Sequence, residues 1–121
     1  MILADTSVWV DHFRTGNVKF RHLLDRGEVL THSFVIGELM LGGVKGDVLA
    51  NLRALPFALQ AVPDEVEAFI EAAALAGRGI GYVDAALLTS VVLIREQLWT
   101  LDQRLASVAS DLAIGVDPDP R

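Results

Sequence analysis

The chain opens on Ile2-Leu3-Ala4, an apolar run without polar alternation that stops at Asp5. A strand with one wet face alternates apolar and polar residues, whereas a strand covered on both faces does not. The run therefore predicts a central strand of a parallel sheet. Leu98-Trp99-Thr100-Leu101 repeats the pattern and stops at Asp102. Between these runs, apolar residues recur at three- and four-residue spacing, the period of an amphipathic helix. Strand alternating with helix specifies an α/β sandwich with a mainly parallel sheet, and 121 residues leave room for one domain.

Thr6 and Ser7 offer hydroxyls to cap a helix running through Val8, Trp9, Val10 and Phe13 to Gly16. Phe20, Leu23 and Leu24 mark a second short helix, and Glu28 to Thr31 a second strand. Ser33 is placed to cap a helix with Val35, Ile36, Leu39 and Met40 on its apolar face, ending at Gly42-Gly43. Val48 to Leu55 predicts a helical turn or two before Pro56, and Leu59 to Val62 a candidate strand before Pro63. Pro63-Asp64-Glu65 opens a helix that runs to Gly77, with acids at the positive end of its dipole. Val83 to Glu96 is helical and apolar on most sides, so it should lie deep. Gln103 to Ser110 is the last helix and Ala113 to Val116 the last strand. The domain spans residues 1–116, with 117–121 as a short C-terminal tail.

Composition narrows the function. A hydrophobic fraction of 52% excludes intrinsic disorder. The absence of cysteine excludes a disulfide framework, thiolate catalysis and a cysteine zinc site, and fits a reducing cytoplasm. Ala85 to Ile94, the longest apolar stretch, is far short of the ~20 residues that span a bilayer. The N-terminus has no basic region and reaches Asp5 at once, so neither a signal peptide nor a transit peptide is expected. Ten basic against sixteen acidic side chains give a net charge of −6, which disfavours binding nucleic acid through a broad basic surface. A phosphate ligand would need a metal ion or a few well-placed arginines.

Most acids, such as Asp64, Glu65, Glu67 and Glu71, read as helix-start and solvated-face charges. Four do not. Asp5 and Asp102 each end a strand-like run, and in a parallel sheet those ends share the edge where open α/β folds place their ligand crevice. Glu38 is the lone charge of an otherwise apolar helix, and Asp84 sits in the first turn of the most apolar one. Capping or a solvated face explains each of these two singly. If the four converge, two unit charges ~4 Å apart repel by about 4 kcal/mol at an effective dielectric near 20. Protons or a cation must then relieve the repulsion, and an all-oxygen site suits Mg²⁺ or Mn²⁺, which also accept phosphate oxygens.

At these residues the chain resembles a known family. Asp5-Thr6-Ser7-Val8, Glu38-Leu39, Tyr82-Val83-Asp84-Ala85-Ala86-Leu87-Leu88 and Leu98-Trp99-Thr100-Leu101-Asp102-Gln103-Arg104-Leu105 look like the four acidic motifs of PIN-domain ribonucleases. Length and motif order resemble the VapC toxins of bacterial VapBC toxin–antitoxin pairs over essentially the whole chain. The resemblance implies a three-layer α/β/α fold, a homodimer, Mg²⁺-dependent endonucleolytic hydrolysis of RNA by a metal-activated water, and inhibition by a cognate antitoxin. Carried over residue by residue, Asp5, Glu38, Asp84 and Asp102 match the acidic quartet. Thr6 or Ser7 matches the hydroxyl beside the first acid, and Thr100 is a further supporting hydroxyl. Asp5 and Asp84 are expected as primary metal ligands, Asp102 in or beside the coordination sphere, and Glu38 acting through water.

Arg78 and Arg104, near the third and fourth motifs, are the basic residues best placed for RNA phosphate, with plain helix-surface roles as the alternative. Trp9 and Trp99 read as core, although either could stack a base. His12, His22 and His32 are too scattered for a ligand motif, and Gly77-Arg78-Gly79-Ile80-Gly81 lacks the preceding strand and lysine of a phosphate loop. The surplus of apolar residues predicts a groove for an antitoxin segment around Val35 to Val44 and Val8 to Phe13, with a basic antitoxin side chain entering among the acids. The competing readings are an RNA-processing nuclease without an antitoxin and a non-catalytic α/β binding module whose acids are caps. A phosphorylated signalling domain is disfavoured, because paired acids at the first strand and a lysine near the last are both missing.

Overall fold

The computed structural model describes residues 1–116, so the tail expected at 117–121 lies outside the described residues. In chain order the elements are β1 (Ile2–Ala4), α1 (Thr6–Thr15), α2 (Val18–Asp25), β2 (Val29–Leu30), α3 (Ser33–Leu41), α4 (Gly46–Arg53), α5 (Pro63–Ala72), α6 (Tyr82–Ile94), β3 (Gln97–Trp99) and α7 (Gln103–Asp111). The sheet order is β2-β1-β3, with both pairings parallel. Successive strand residues point to opposite faces, yet Leu3 and Ala4 are both 0% exposed. Helices therefore cover both faces of the sheet, giving the three-layer α/β/α fold. The core is filled by Phe20, Leu87, Leu88, Leu98 and Trp99, with Trp9 edge-on to Phe20 at 4.6 Å between ring centroids.

Two expected strands are reduced to single bridges. Instead of a strand over Leu59 to Val62, Phe57 makes one parallel bridge to Thr31, where the Thr31 amide donates to the Pro56 carbonyl at 2.8 Å. Prolines at 56 and 63 lack the donors a longer ladder would need. At the other edge, Ala113 to Val116 contributes only Gly115, bridged to Leu98.

Helix ends also differ. The helix expected to reach Gly77 stops at Ala72, because Ala74 turns left-handed (φ 52°) and the Leu75 amide closes back on the Ile70 carbonyl at 3.0 Å. That reversal buries Leu75, and the apolar contact offsets the cost of a non-glycine residue in this conformation. The N-cap of α1 is Asp5 rather than Thr6 or Ser7, and that of α3 is His32 rather than Ser33. Among the described residues no helix is long and apolar enough to cross a membrane.

Candidate active site

Parallel strands deliver their last residues to one edge. Asp5 follows β1 directly, its amide donating to the Trp99 carbonyl of β3 at 3.0 Å, and Thr100 follows β3. The two side chains meet although 95 residues separate them in sequence: the Thr100 hydroxyl donates to Asp5 Oδ2 at 2.6 Å. Asp5 Oδ1 accepts from the Ser7 hydroxyl at 2.5 Å and from the Ser7 and Val8 amides at 3.0 and 3.4 Å. Each hydroxyl has a second task. Ser7 Oγ accepts from the Leu101 amide at 2.9 Å, and Thr100 Oγ1 from the Asp102 amide at 3.0 Å. Two hydroxyls thus fasten the first acid to the turn that carries the fourth.

Three of the four acids cap helices. Asp5 caps α1; Asp102 caps α7, its Oδ1 accepting from the Arg104 and Leu105 amides at 2.9 and 3.1 Å. Asp84, three residues into α6, accepts through Oδ2 from the Gly81 amide at 3.1 Å. Helix N-termini carry partial positive charge, which is why carboxylates collect there. Glu38 reaches in from mid-α3, and its Oε1 accepts from the Thr6 hydroxyl at 2.7 Å. Both residues beside the first acid are therefore engaged, Thr6 with Glu38 and Ser7 with Asp5.

Electrostatics link the acids across elements. Burial raises the Asp84 pKa above the ordinary aspartate value, its bond from Gly81 opposes this, and the charges of Asp102 and Glu38 raise it further. Asp5 is 6% exposed, and burial raises its pKa despite the four donors that favour the ionised form. The shift at Asp5 thus comes from burial rather than from crowding by the other acids.

Among the described residues no three carboxylates or imidazoles stand close enough to hold a metal ion as they are. Three of the acids nevertheless suit the task in kind, whereas Asp5 has both oxygens engaged by donors. Asp84 Oδ1, Asp102 Oδ2 and Glu38 Oε2 have no protein donor among the described residues, so each carboxylate spends one oxygen on position and keeps the other. Oxygen-only donors that repel one another match Mg²⁺ or Mn²⁺.

Beside Glu38 and Thr6 runs a cleft of about 680 Å³ between α1, α3 and α4, with Val10, Phe13, Leu39 and Val44 along it. It lies where the sequence places an apolar groove, but Arg14 and Lys45 also line it, and nothing in the apolar periodicity signals them. Trp9 and Trp99 are buried, so neither offers a face to a base. Arg78 is committed to Asp111 at 2.7 Å, whereas Arg104 lies against the backbone of Gly79. The sequence missed both partners. Asp111 carries no motif, and Gly79 reads only as a helix break.

Three comparisons with known proteins agree on this architecture. The family model described as PIN domain matches residues 2–111. Ribonuclease VapC32 of Mycobacterium tuberculosis (strain ATCC 25618 / H37Rv) is 40% identical over 122 aligned positions that cover 96% of each chain. The protein of the same name from strain CDC 1551 / Oshkosh matches equally. The crystal structure of PAE2754 from Pyrobaculum aerophilum superposes with a TM-score of 0.57 at 15% identity, over 89% of this chain and 78% of that one. That likeness bears on the fold alone. With its motifs in order along a parallel α/β/α sandwich and relatives matched over nearly their whole length, the chain belongs to the PIN domain family, among its VapC-type members.

Proposed function

We propose that this chain is an endoribonuclease acting as the toxin of a toxin–antitoxin pair, hydrolysing RNA phosphodiesters at the acids Asp5, Glu38, Asp84 and Asp102 with Mg²⁺, for which Mn²⁺ can substitute. The observation that carries the reading is geometric: Thr100 bonds to both Asp5 and the Asp102 amide, and Thr6, beside Asp5, bonds to Glu38, so acids from separate elements are tied to one edge of the sheet. The name of the relatives, ribonuclease, supports RNA as the substrate. A cytoplasmic site of action follows from that substrate.

Asp84, Asp102 and Asp5 would hold the metal, and Glu38 would act through water. When bound, the ion supplies charge neutralisation for the phosphodiester and activation of a water molecule. The chain's own residues set the stage. Ser7 and Thr100 hold Asp5 in place, and Thr6 aims Glu38, while the carboxylates must draw closer to share an ion. Glu38 Oε2, which has no protein donor among the described residues, is the oxygen available to accept a proton from water.

The partner reading follows from the cleft that ends at Glu38 and Thr6. An antitoxin segment would lay apolar side chains along Val10, Phe13 and Val44 and place a basic side chain among the acids by charge-assisted hydrogen bonds. The chain itself would act as a homodimer. Co-expression with the product of the adjacent reading frame tests this: a complex containing two copies of each chain, inactive until the inserted basic residue is replaced by alanine, is expected. A monomer that neither binds that product nor is inhibited by it contradicts the toxin assignment.

A further inference from the structure

Arg78 and Arg104 lie near the third and fourth acidic motifs in sequence but differ in what they touch. Arg78 Nη2 is 2.7 Å from Asp111 Oδ2, a partly exposed ion pair that spends its charge inside the protein. No carboxylate among the described residues lies within ion-pair distance of the Arg104 guanidinium. Among the described residues other basic side chains, Arg14 and Lys45 among them, likewise make no ion pair, so what sets Arg104 apart is where it is held.

Its position is set by a missing side chain. A Cβ built on Gly79 would stand 2.8 Å from Arg104 Cδ, 3.0 Å from Nη1 and 3.2 Å from Nε. The arginine therefore lies where any other residue at 79 would put its side chain, and Gly79 also has φ +80°, a conformation that side-chain-bearing residues rarely adopt. Both ends of this contact lead to the acids. Gly79 is two residues before Gly81, whose amide holds Asp84, and Arg104 donates its own amide to Asp102. The guanidinium is held between the anchor points of two acids and neutralises neither.

We propose that Arg104, seated on the bare backbone of Gly79, is the cation that grips an RNA phosphate next to the acidic site, and that Arg78 does not share this task. The assignment rests on the ribonuclease reading above and adds to it the residue that lets an acidic protein hold a polyanion. A guanidinium offers a planar fork of donors that matches two phosphate oxygens, which a carboxylate cluster cannot do without a metal. Gly79 is the positioning residue. A methyl group there would push Arg104 off its seat without touching any acid.

The test is RNA binding rather than cleavage. The full chain is titrated with a fluorescein-labelled random-sequence single-stranded RNA across a salt series, with Ca²⁺ as the divalent ion and RNA integrity checked on a gel. One lost phosphate contact lowers the slope of log K against log salt by about 0.7 for single strands. Arg104→Gln is expected to weaken binding and reduce the slope by that amount, Gly79→Ala to shift both the same way, and Arg78→Gln to leave the slope unchanged. Circular dichroism verifies that each variant is folded, and Arg104→Gln decides the question if Gly79→Ala is not. An unaltered slope in Arg104→Gln, or an equal drop in Arg78→Gln, overturns the assignment while the unsubstituted chain still binds RNA. No binding by the folded, unsubstituted chain overturns the ribonuclease reading as well.

Discussion

Asp5 has two roles in one side chain: it caps α1 and stands at the head of the acidic site. Asparagine caps a helix as well as aspartate does and carries no charge. Asp5→Asn should therefore keep the fold and lose RNA cleavage by orders of magnitude. The pH dependence has a definite sign. Because burial raises the Asp5 pKa, the folded state binds the proton more tightly than the unfolded chain. The stability this confers is fully present below the ordinary aspartate pKa and is lost as pH rises through the raised value. In urea unfolding, Asp5→Asn should gain on the parent chain as pH rises through that window. A constant difference would mean that Asp5 is not held in an unfavourable ionised state. Thr100→Val removes both the donor to Asp5 and the acceptor for the Asp102 amide, and should cost about 1–3 kcal/mol of stability. The acids themselves were legible in sequence, since a charge that ends or interrupts an apolar run has no cheap solvated place. The sequence also points to the hydroxyls of Thr6, Ser7 and Thr100, but not to what Ser7 and Thr100 bridge, because those partners lie more than ninety residues away.

At the scale of elements, β1, β2, β3 and every helix are readable from apolar runs and periodicity, while caps and the outermost sheet edges are not. The reading assigned the caps of α1 and α3 to hydroxyls, but an aspartate and a histidine one residue earlier perform them. Neighbouring capping residues cannot be ranked without knowing which of them is buried. His32 is fully buried; its Nδ1 accepts from the Phe34 amide at 3.0 Å, which leaves Nε2 to carry the proton and donate to Ser90 Oγ at 3.3 Å. Burial lowers its pKa, so the folded state prefers the neutral ring. That contribution is complete above the unfolded pKa of about 6.5 and is lost as pH falls below it. Asparagine keeps a capping oxygen without titrating. The stability gap between the parent and His32→Asn should narrow as pH falls from about 7 to about 5, and a gap independent of pH would show that His32 does not titrate on unfolding.

For the molecule as a whole, the three-layer sandwich is visible in the alternation of strand and helix, and parallel strand order points to the carboxyl edge of the sheet as the candidate site. The outer bridges were over-read as strands, because a short apolar run looks alike in a strand and in a single bridge. The proposed metal site makes a thermodynamic prediction about the whole chain. A divalent ion bound only by the folded state stabilises it by about 2.7 kcal/mol at a hundred times its Kd. Millimolar Mn²⁺ should raise the Tm of the parent and much less that of Asp84→Asn, measured by differential scanning fluorimetry. An equal rise in both would place the ion elsewhere.

The central claim is that these acids cut RNA with the help of a divalent ion, and cleavage of a labelled RNA by the purified chain tests it most directly. The account predicts cleavage in Mg²⁺ that disappears in EDTA, returns when Mg²⁺ or Mn²⁺ is restored, and is absent throughout in Asp84→Asn. Cleavage by Asp84→Asn at the parent's rate, or undiminished cleavage by the parent in EDTA, would contradict it.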